Sequence, residues 1–154
     1  CRALSVETSP KALGEEVLGH VLPMARDCCG HLVLESAIEH GTVEQQHRIT
    51  VELLVAVMRL STHLVGHLVL RKALLCCSEP DQQAIVSALW SSQDAFSTLA
   101  MNPHGRQVIM TLMSVPAGVS RQAVSQLDCT SMAGSMPQGA KEVWLALREH
   151  CMDN

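Results

Sequence analysis

One pattern recurs along this 154-residue chain and limits what it can fold into. CCGHLVLESAIE, from Cys28 to Glu39, returns as LVGHLVLRKALL from Leu64 and as PHGRQVIMTLM from Pro103, with a weaker echo, PQGAKEVWLALR, from Pro137. In each, a glycine is followed by two variable residues, an apolar pair and further apolar positions one turn later. The glycines Gly30, Gly66, Gly105 and Gly139 stand 36, 39 and 34 residues apart. Recurrence at that period marks a stacked repeat protein, in which a unit buries its apolar face against its neighbours.

The material for that core favours helices. Hydrophobic residues make up 47% of the chain but aromatics only 2%, so Leu, Val, Ala, Ile and Met must fill the interior. A set of β-strands would call for more β-branched and aromatic residues in alternation. The net charge of -4 argues against a strongly basic nucleic-acid binder that draws its affinity from many phosphates. It leaves room for one that reads bases from a local surface. The seven cysteines include the adjacent pairs Cys28-Cys29 and Cys76-Cys77. Adjacent residues on a helix point about 100° apart, so these read as small buried residues in a reducing compartment. The longest apolar run, Leu53 to Met58, is far short of the ~20 residues of a membrane span. The chain starts at Cys1 without a charged-then-apolar leader, so the expectation is a non-secreted piece of a longer polypeptide.

Taken in order, residues 1–14 read as an entry segment or the end of a missing repeat. A helix is expected over Glu15 to Arg26, bent or ended by Pro23, and Asp27 is placed to cap the next one. That helix carries the stripe Val33, Leu34, Ala37 and Ile38 and stops at His40-Gly41. Val43 to Arg59 reads as one long helix, with a short break at Leu60-Ser61. Val69, Leu70, Ala73 and Leu74 repeat the stripe before Ser78-Glu79-Pro80 ends it. Pro80-Asp81 opens a fresh helix, and Trp90 to Gln93 reads as the loosest part of the array. Val108, Ile109, Leu112 and Met113 repeat the stripe again. Pro116-Ala117-Gly118 reads as a turn, Ser131 to Gln138 as a loop, and Lys141 to His150 as a short last helix that caps the stack. In it Glu142 stands where the other units have Val.

In this arrangement the units resemble the repeats of the Pumilio, or PUF, family of RNA-binding proteins. ARDCCGHLVLESAIEHG carries the closest match, followed by LSTHLVGHLVLRKAL and LAMNPHGRQVIMTLM. The resemblance implies an all-α, right-handed helical-repeat solenoid, an armadillo-like superhelix. It would hold about three repeats and a C-terminal cap over residues 15–154, with the repeat glycines at 30, 66, 105 and 139. It also implies binding of single-stranded RNA, such as an mRNA 3′ untranslated region, in translational repression or mRNA decay. The implied setting is a cytoplasmic monomer with no DNA or membrane partner, able to hold regulatory proteins on its convex face.

Family resemblance implies that each repeat reads one base with the first, second and fifth residues after its glycine. These are His31, Leu32 and Glu35, then His67, Leu68 and Arg71, then Arg106, Gln107 and Met110. Helical geometry supports the grouping, since the first and fifth are i and i+4 on one face. The triplets differ from the family's common sets, and Glu35 alone is a standard occupant. Leu32 and Leu68 have no π-face, and base stacking is worth ~1–3 kcal/mol. Losing it at two bases lowers affinity by ~10²-fold or more. That favours an alternative, a degenerate Pumilio-like scaffold that binds proteins. A helical-pair array of HEAT or armadillo type is a third reading. Cys28, Cys29 and His31 lie within one turn but lack a second pair at finger-like spacing, so no metal is expected. No oxyanion or elbow motif accompanies a Cys-His pair, so neither catalysis nor a cofactor is expected. Cys29, Val65 and His104, just before the glycines, are expected to pack beneath the helix starts.

Overall fold

The computed structural model describes residues 15–129 and 136–153. The entry segment 1–14 and most of the Ser131 to Gln138 loop lie outside them. Every element among the described residues is helical. A single helical turn over 15–18 precedes α1 (Val21–Ala25), α2 (Gly30–His40) and α3 (Val43–Leu54). The same trio follows as α4 (Val57–Ser61), α5 (Gly66–Cys76) and α6 (Glu79–Leu89). It returns as α7 (Gln93–Met101), α8 (Pro103–Thr111), a 3-10 turn (Leu112–Ser114) and α9 (Ala117–Cys129), and α10 (Gln138–Asp153) closes the stack.

The trios stack so that like packs on like. The glycine-opened helices α2, α5 and α8 form one row, and α3, α6 and α9 form a second. Between them runs a continuous apolar core that includes Leu34, Ile38, Leu70, Leu74, Ile109 and Leu112, each fully buried. The molecule is therefore a helical-repeat solenoid.

The glycines have a steric cause. A Cβ on Gly30 would lie 2.8 Å from the Met24 carbonyl oxygen, and one on Gly105 would lie 2.5 Å from that of Leu99. At Gly66 the corresponding backbone oxygen, of Leu60, is 3.0 Å away. In each case the obstacle sits six residues back, where the first helix of the trio crosses the start of the second. Gly139 would meet the flexible thioether of Met101 instead, at 3.1 Å.

The starts at Gly30, Gly66 and Gly105 are also capped from three residues before the glycine. Asp27 Oδ1 accepts from the Cys29 and Gly30 amides at 2.9 and 2.6 Å. Asn102 Oδ1 accepts from those of His104 and Gly105. In the middle trio His63 Nδ1 takes this place, accepting from Val65 and Gly66. These bonds satisfy amides that have no partner within the helix.

Several boundaries differ from the sequence reading. The first helix breaks at Gly19-His20, and Pro23 lies inside the first turn of α1, where a missing N–H costs nothing. The long helix expected over Val43 to Arg59 is two, parted at Val55-Ala56, where amides bond three residues back and Ala56 leaves the helical region. Leu60 and Ser61 are helical, and the break falls after them. Gly118 lies in the first turn of α9, and the last helix, at 16 residues, is the longest described.

Trp90, expected in the loosest stretch, is buried. Its ring centroid stands 5.9 Å from that of Phe96, which meets Trp144 edge-on at 6.4 Å. All three aromatics of the chain thus join α7 and α10 to the end of α6. Val33 is 43% exposed, although its counterparts Val69 and Val108 are fully buried. Those two sit on helices that have another glycine-opened helix before them. No such helix precedes α2 among the described residues, and an apolar groove of about 530 Å³ lined by Val17, Leu18, Val33 and Ile49 opens there.

Candidate nucleic-acid interface

The three triplets lie on neighbouring helices of one row, at matching heights after their glycines. Their surroundings differ. On α2 the His31 Nε2 stands 3.9 Å from the Glu35 carboxylate, one turn on, and its Nδ1 lies 3.1 Å from the Asp27 carbonyl oxygen. Leu32 is 59% exposed beside them.

On α5 the first residue is withdrawn from the surface. His67 is only 4% exposed, its Nδ1 is 3.0 Å from the His63 carbonyl oxygen, and its ring stacks on that of His104 at 4.7 Å. His104, expected beneath the helix start, instead bridges to the preceding unit. Leu68 is half-buried. Arg71 leans toward the next unit, donating from Nε to Thr111 Oγ1 at 3.0 Å and from Nη1 to Gln107 Oε1 at 3.2 Å.

On α8 Arg106, Gln107 and Met110 are all exposed. Arg106 Nε donates to the Ala100 carbonyl oxygen, which draws the side chain along the seam with the preceding helix. Arg71, Leu75, Arg106 and Met110 line a groove of about 320 Å³ between α5 and α8. Neither arginine is ion-paired with a carboxylate among the described residues.

Charge along the row changes sign. Glu35 and Glu39 occupy α2, whereas Arg71, Lys72 and Arg106 follow on α5 and α8. Glu39 and Lys72 pair across the boundary at 2.8 Å. That bond lowers the Glu39 pKa and raises that of Lys72. The Gly30 and Cys29 amides bonded to Asp27 hold its carboxyl below its ordinary range.

Sequence reasoning overlooked Thr111, Lys72 and Glu39. Thr111 and Lys72 are sixth after their glycines, and Gln107 and Thr111 are i and i+4. The rule that pairs first with fifth residues thus pairs second with sixth, a signal present in the sequence.

The cysteines divide by environment. Cys77 and Cys151 are buried, but Cys28 and Cys29 are exposed, contrary to the buried reading and to the packing expected of Cys29. Burial pushes the Cys77 thiol up to about 11. The hydrogen bond and charge of Cys28, then Asp27, raise that of Cys29. Asp27, rather than His31, groups with these two thiols within 4.8 Å, with its Oδ1 already committed to the cap of α2.

Comparison with known proteins supplies context for this face. A family model described as a Pumilio-family RNA binding repeat matches residues 20–54 and 57–89. These bounds enclose the first two helix trios. Among curated proteins, putative pumilio homolog 10 of Arabidopsis thaliana is 32% identical over 98 residues, 64% of this chain and 19% of the relative. Pumilio homolog 9 of the same plant is 28% identical over 98 residues, 17% of its length. The chain therefore spans about a fifth of the curated relatives it matches. Among solved structures, PUF-8 in complex with PBE-RNA superposes with a TM-score of 0.75 at 20% identity, over 91% of this chain and 41% of that one. The RNA-binding domain of yeast Puf5p bound to SMX2 RNA gives 0.71 at 15%, over 89% and 40%.

Proposed function

Since the chain is a repeat protein of the Pumilio family, we propose that it binds single-stranded RNA along the row formed by α2, α5 and α8. The observation that carries this reading is the groove between α5 and α8, where Arg71 and Arg106 stand without carboxylate partners beside Leu75 and Met110. A guanidinium can bond a phosphate, bond a base edge or lie on a base face. Leu75 and Met110 offer the apolar surface against which a base can rest. The RNA-bound state of the superposing PUF-8 and Puf5p structures supports the assignment.

The nine triplet residues do not contribute alike in this reading. Arg71, Arg106 and Gln107 make the polar contacts, Glu35 and His31 serve the first unit, and Leu32, Leu68 and Met110 provide contact area. His67 acts from beneath, as support. The division into three units and a closing helix belongs to the same proposal, as does a role on mRNA in the cytoplasm. No helix among the described residues is long and apolar enough to cross a membrane.

A second reading has its own observation: Leu32 and Val33 are both exposed beside an apolar groove. That surface suits a protein partner better than a base and favours a scaffold. Gel shifts with a random single-stranded RNA pool at low salt separate the two. Saturable binding supports the first reading, and its absence sinks it.

A further inference from the structure

Arg71 belongs to one unit by sequence and to two by contact. Its Nε and Nη1 are held at 3.0 and 3.2 Å by Thr111 and Gln107, both on the next glycine-opened helix. Thr111 is itself fixed, 6% exposed and donating its hydroxyl proton to the Gln107 carbonyl oxygen at 2.9 Å. With that proton committed, the hydroxyl oxygen can only accept from Arg71. The guanidinium plane is thereby set by the neighbouring unit.

A guanidinium has five N–H groups, and these two bonds leave three. With Nε given to Thr111 and one Nη1 hydrogen to Gln107, one hydrogen on Nη1 and two on Nη2 remain, and a pair drawn from these two nitrogens suits two acceptors side by side. Among RNA bases, guanine offers such a pair at O6 and N7, and cytosine at N3 and O2. Adenine sets its amino donor beside N1 and beside N7. Uracil places N3–H between its two carbonyls. The groove of about 320 Å³ gives a planar base room between Leu75 and Met110.

We infer that Thr111 is a positioning residue, and that Arg71, held by it, selects a base presenting two adjacent acceptors, guanine or cytosine, over adenine and uracil. The second and third units then form one shared subsite in which Gln107 helps to hold Arg71. This inference rests on the RNA-binding reading above.

The test is selection from a randomised single-stranded RNA pool with the wild-type chain, Arg71→Lys, Thr111→Val and Thr111→Ser, followed by sequencing of the retained RNA. In the wild-type profile, one position should favour guanine or cytosine by about tenfold or more over adenine and uracil, the worth of one bidentate contact. Arg71→Lys and Thr111→Val should flatten that position and leave the others unchanged, while Thr111→Ser, which keeps the hydroxyl, should retain it. Enrichment of guanine identifies the O6/N7 edge, and of cytosine the N3/O2 edge; either supports the inference. Saturable RNA binding with a profile that Arg71→Lys and Thr111→Val leave intact overturns this inference alone. A position that favours adenine or uracil and is altered by Arg71→Lys also overturns it. Failure to retain any RNA overturns the RNA-binding reading with it.

Discussion

At Gly105 a methyl group would press on backbone atoms of Leu99, the oxygen at 2.5 Å and the Cα at 2.8 Å, and neither can rotate aside. Gly105→Ala should therefore destabilise the fold by about 1–3 kcal/mol, the usual cost of overpacking. Gly139→Ala meets only movable side chains, the Met101 thioether and the Arg106 Nη2, and helix propensity favours Ala by about 0.8–1 kcal/mol, so it should be neutral or stabilising. Urea denaturation of the two variants checks the contrast. The recurrence of these glycines was legible in the sequence, but their cause was not, because it lies in a crossing that depends on where the preceding short helix ends. Asp27 offers a pH test. Its carboxyl is held below its ordinary value of 3.8, so its contribution is full above that value and fades as pH falls through the lower folded value. Asn can cap but carries no charge. Asp27→Asn should thus be less stable than wild type at neutral pH, and the gap should close on acidification below 3.8. A gap that stays constant with pH would contradict the charge-based account. The burial of His67 could not be foreseen, since the ring that covers it, His104, lies 37 residues away in another unit.

Among the elements, α8 and α10 show how starts and stops are specified. Asn102 caps α8 through two amide bonds, and Asn102→Ala should cost about 1 kcal/mol in chemical denaturation. Phe96 links α7 to Trp90 and to Trp144 of α10 and is fully buried. Phe96→Ala should cost about 3–5 kcal/mol, read by the same method. Proline, glycine and capping residues made most boundaries readable, including the cap at Asp27 and the fresh start at Pro80. The break at Val55-Ala56 was not readable, because neither residue disfavours helix. There the chain turns so that Val57 and Leu60 enter the core, a requirement of packing rather than of local propensity. Trp90 misled for a related reason: its neighbours Ser91 and Ser92 read as loop, while its ring is claimed by Phe96 from the next helix.

For the whole molecule, the stripe that recurs on α2, α5 and α8 predicted the stack, and its clearest failure is informative. Val69 and Val108 are sealed by the helix before them, whereas Val33 is open where no such helix is described. Burial at this position is a property of the array and not of the residue. The binding face divides in the same way. Which residues share the row was legible from the repeat, but the reach of Arg71 into the next unit was not, because it depends on how α5 and α8 sit together. This seam, with Arg106 beside it, should carry RNA affinity. The most direct test is a fluorescence anisotropy titration of a labelled random single-stranded RNA pool with wild type and with Arg71→Ala/Arg106→Ala, at low and at moderate salt. Wild type should bind saturably and more weakly as salt rises. The double variant should bind about tenfold or more weakly, the scale of one lost guanidinium contact, while still unfolding cooperatively, at a midpoint lowered only by the loss of the Arg71 and Arg106 hydrogen bonds. Equal affinity of the two proteins, or no saturable binding by wild type at low salt, would contradict the account.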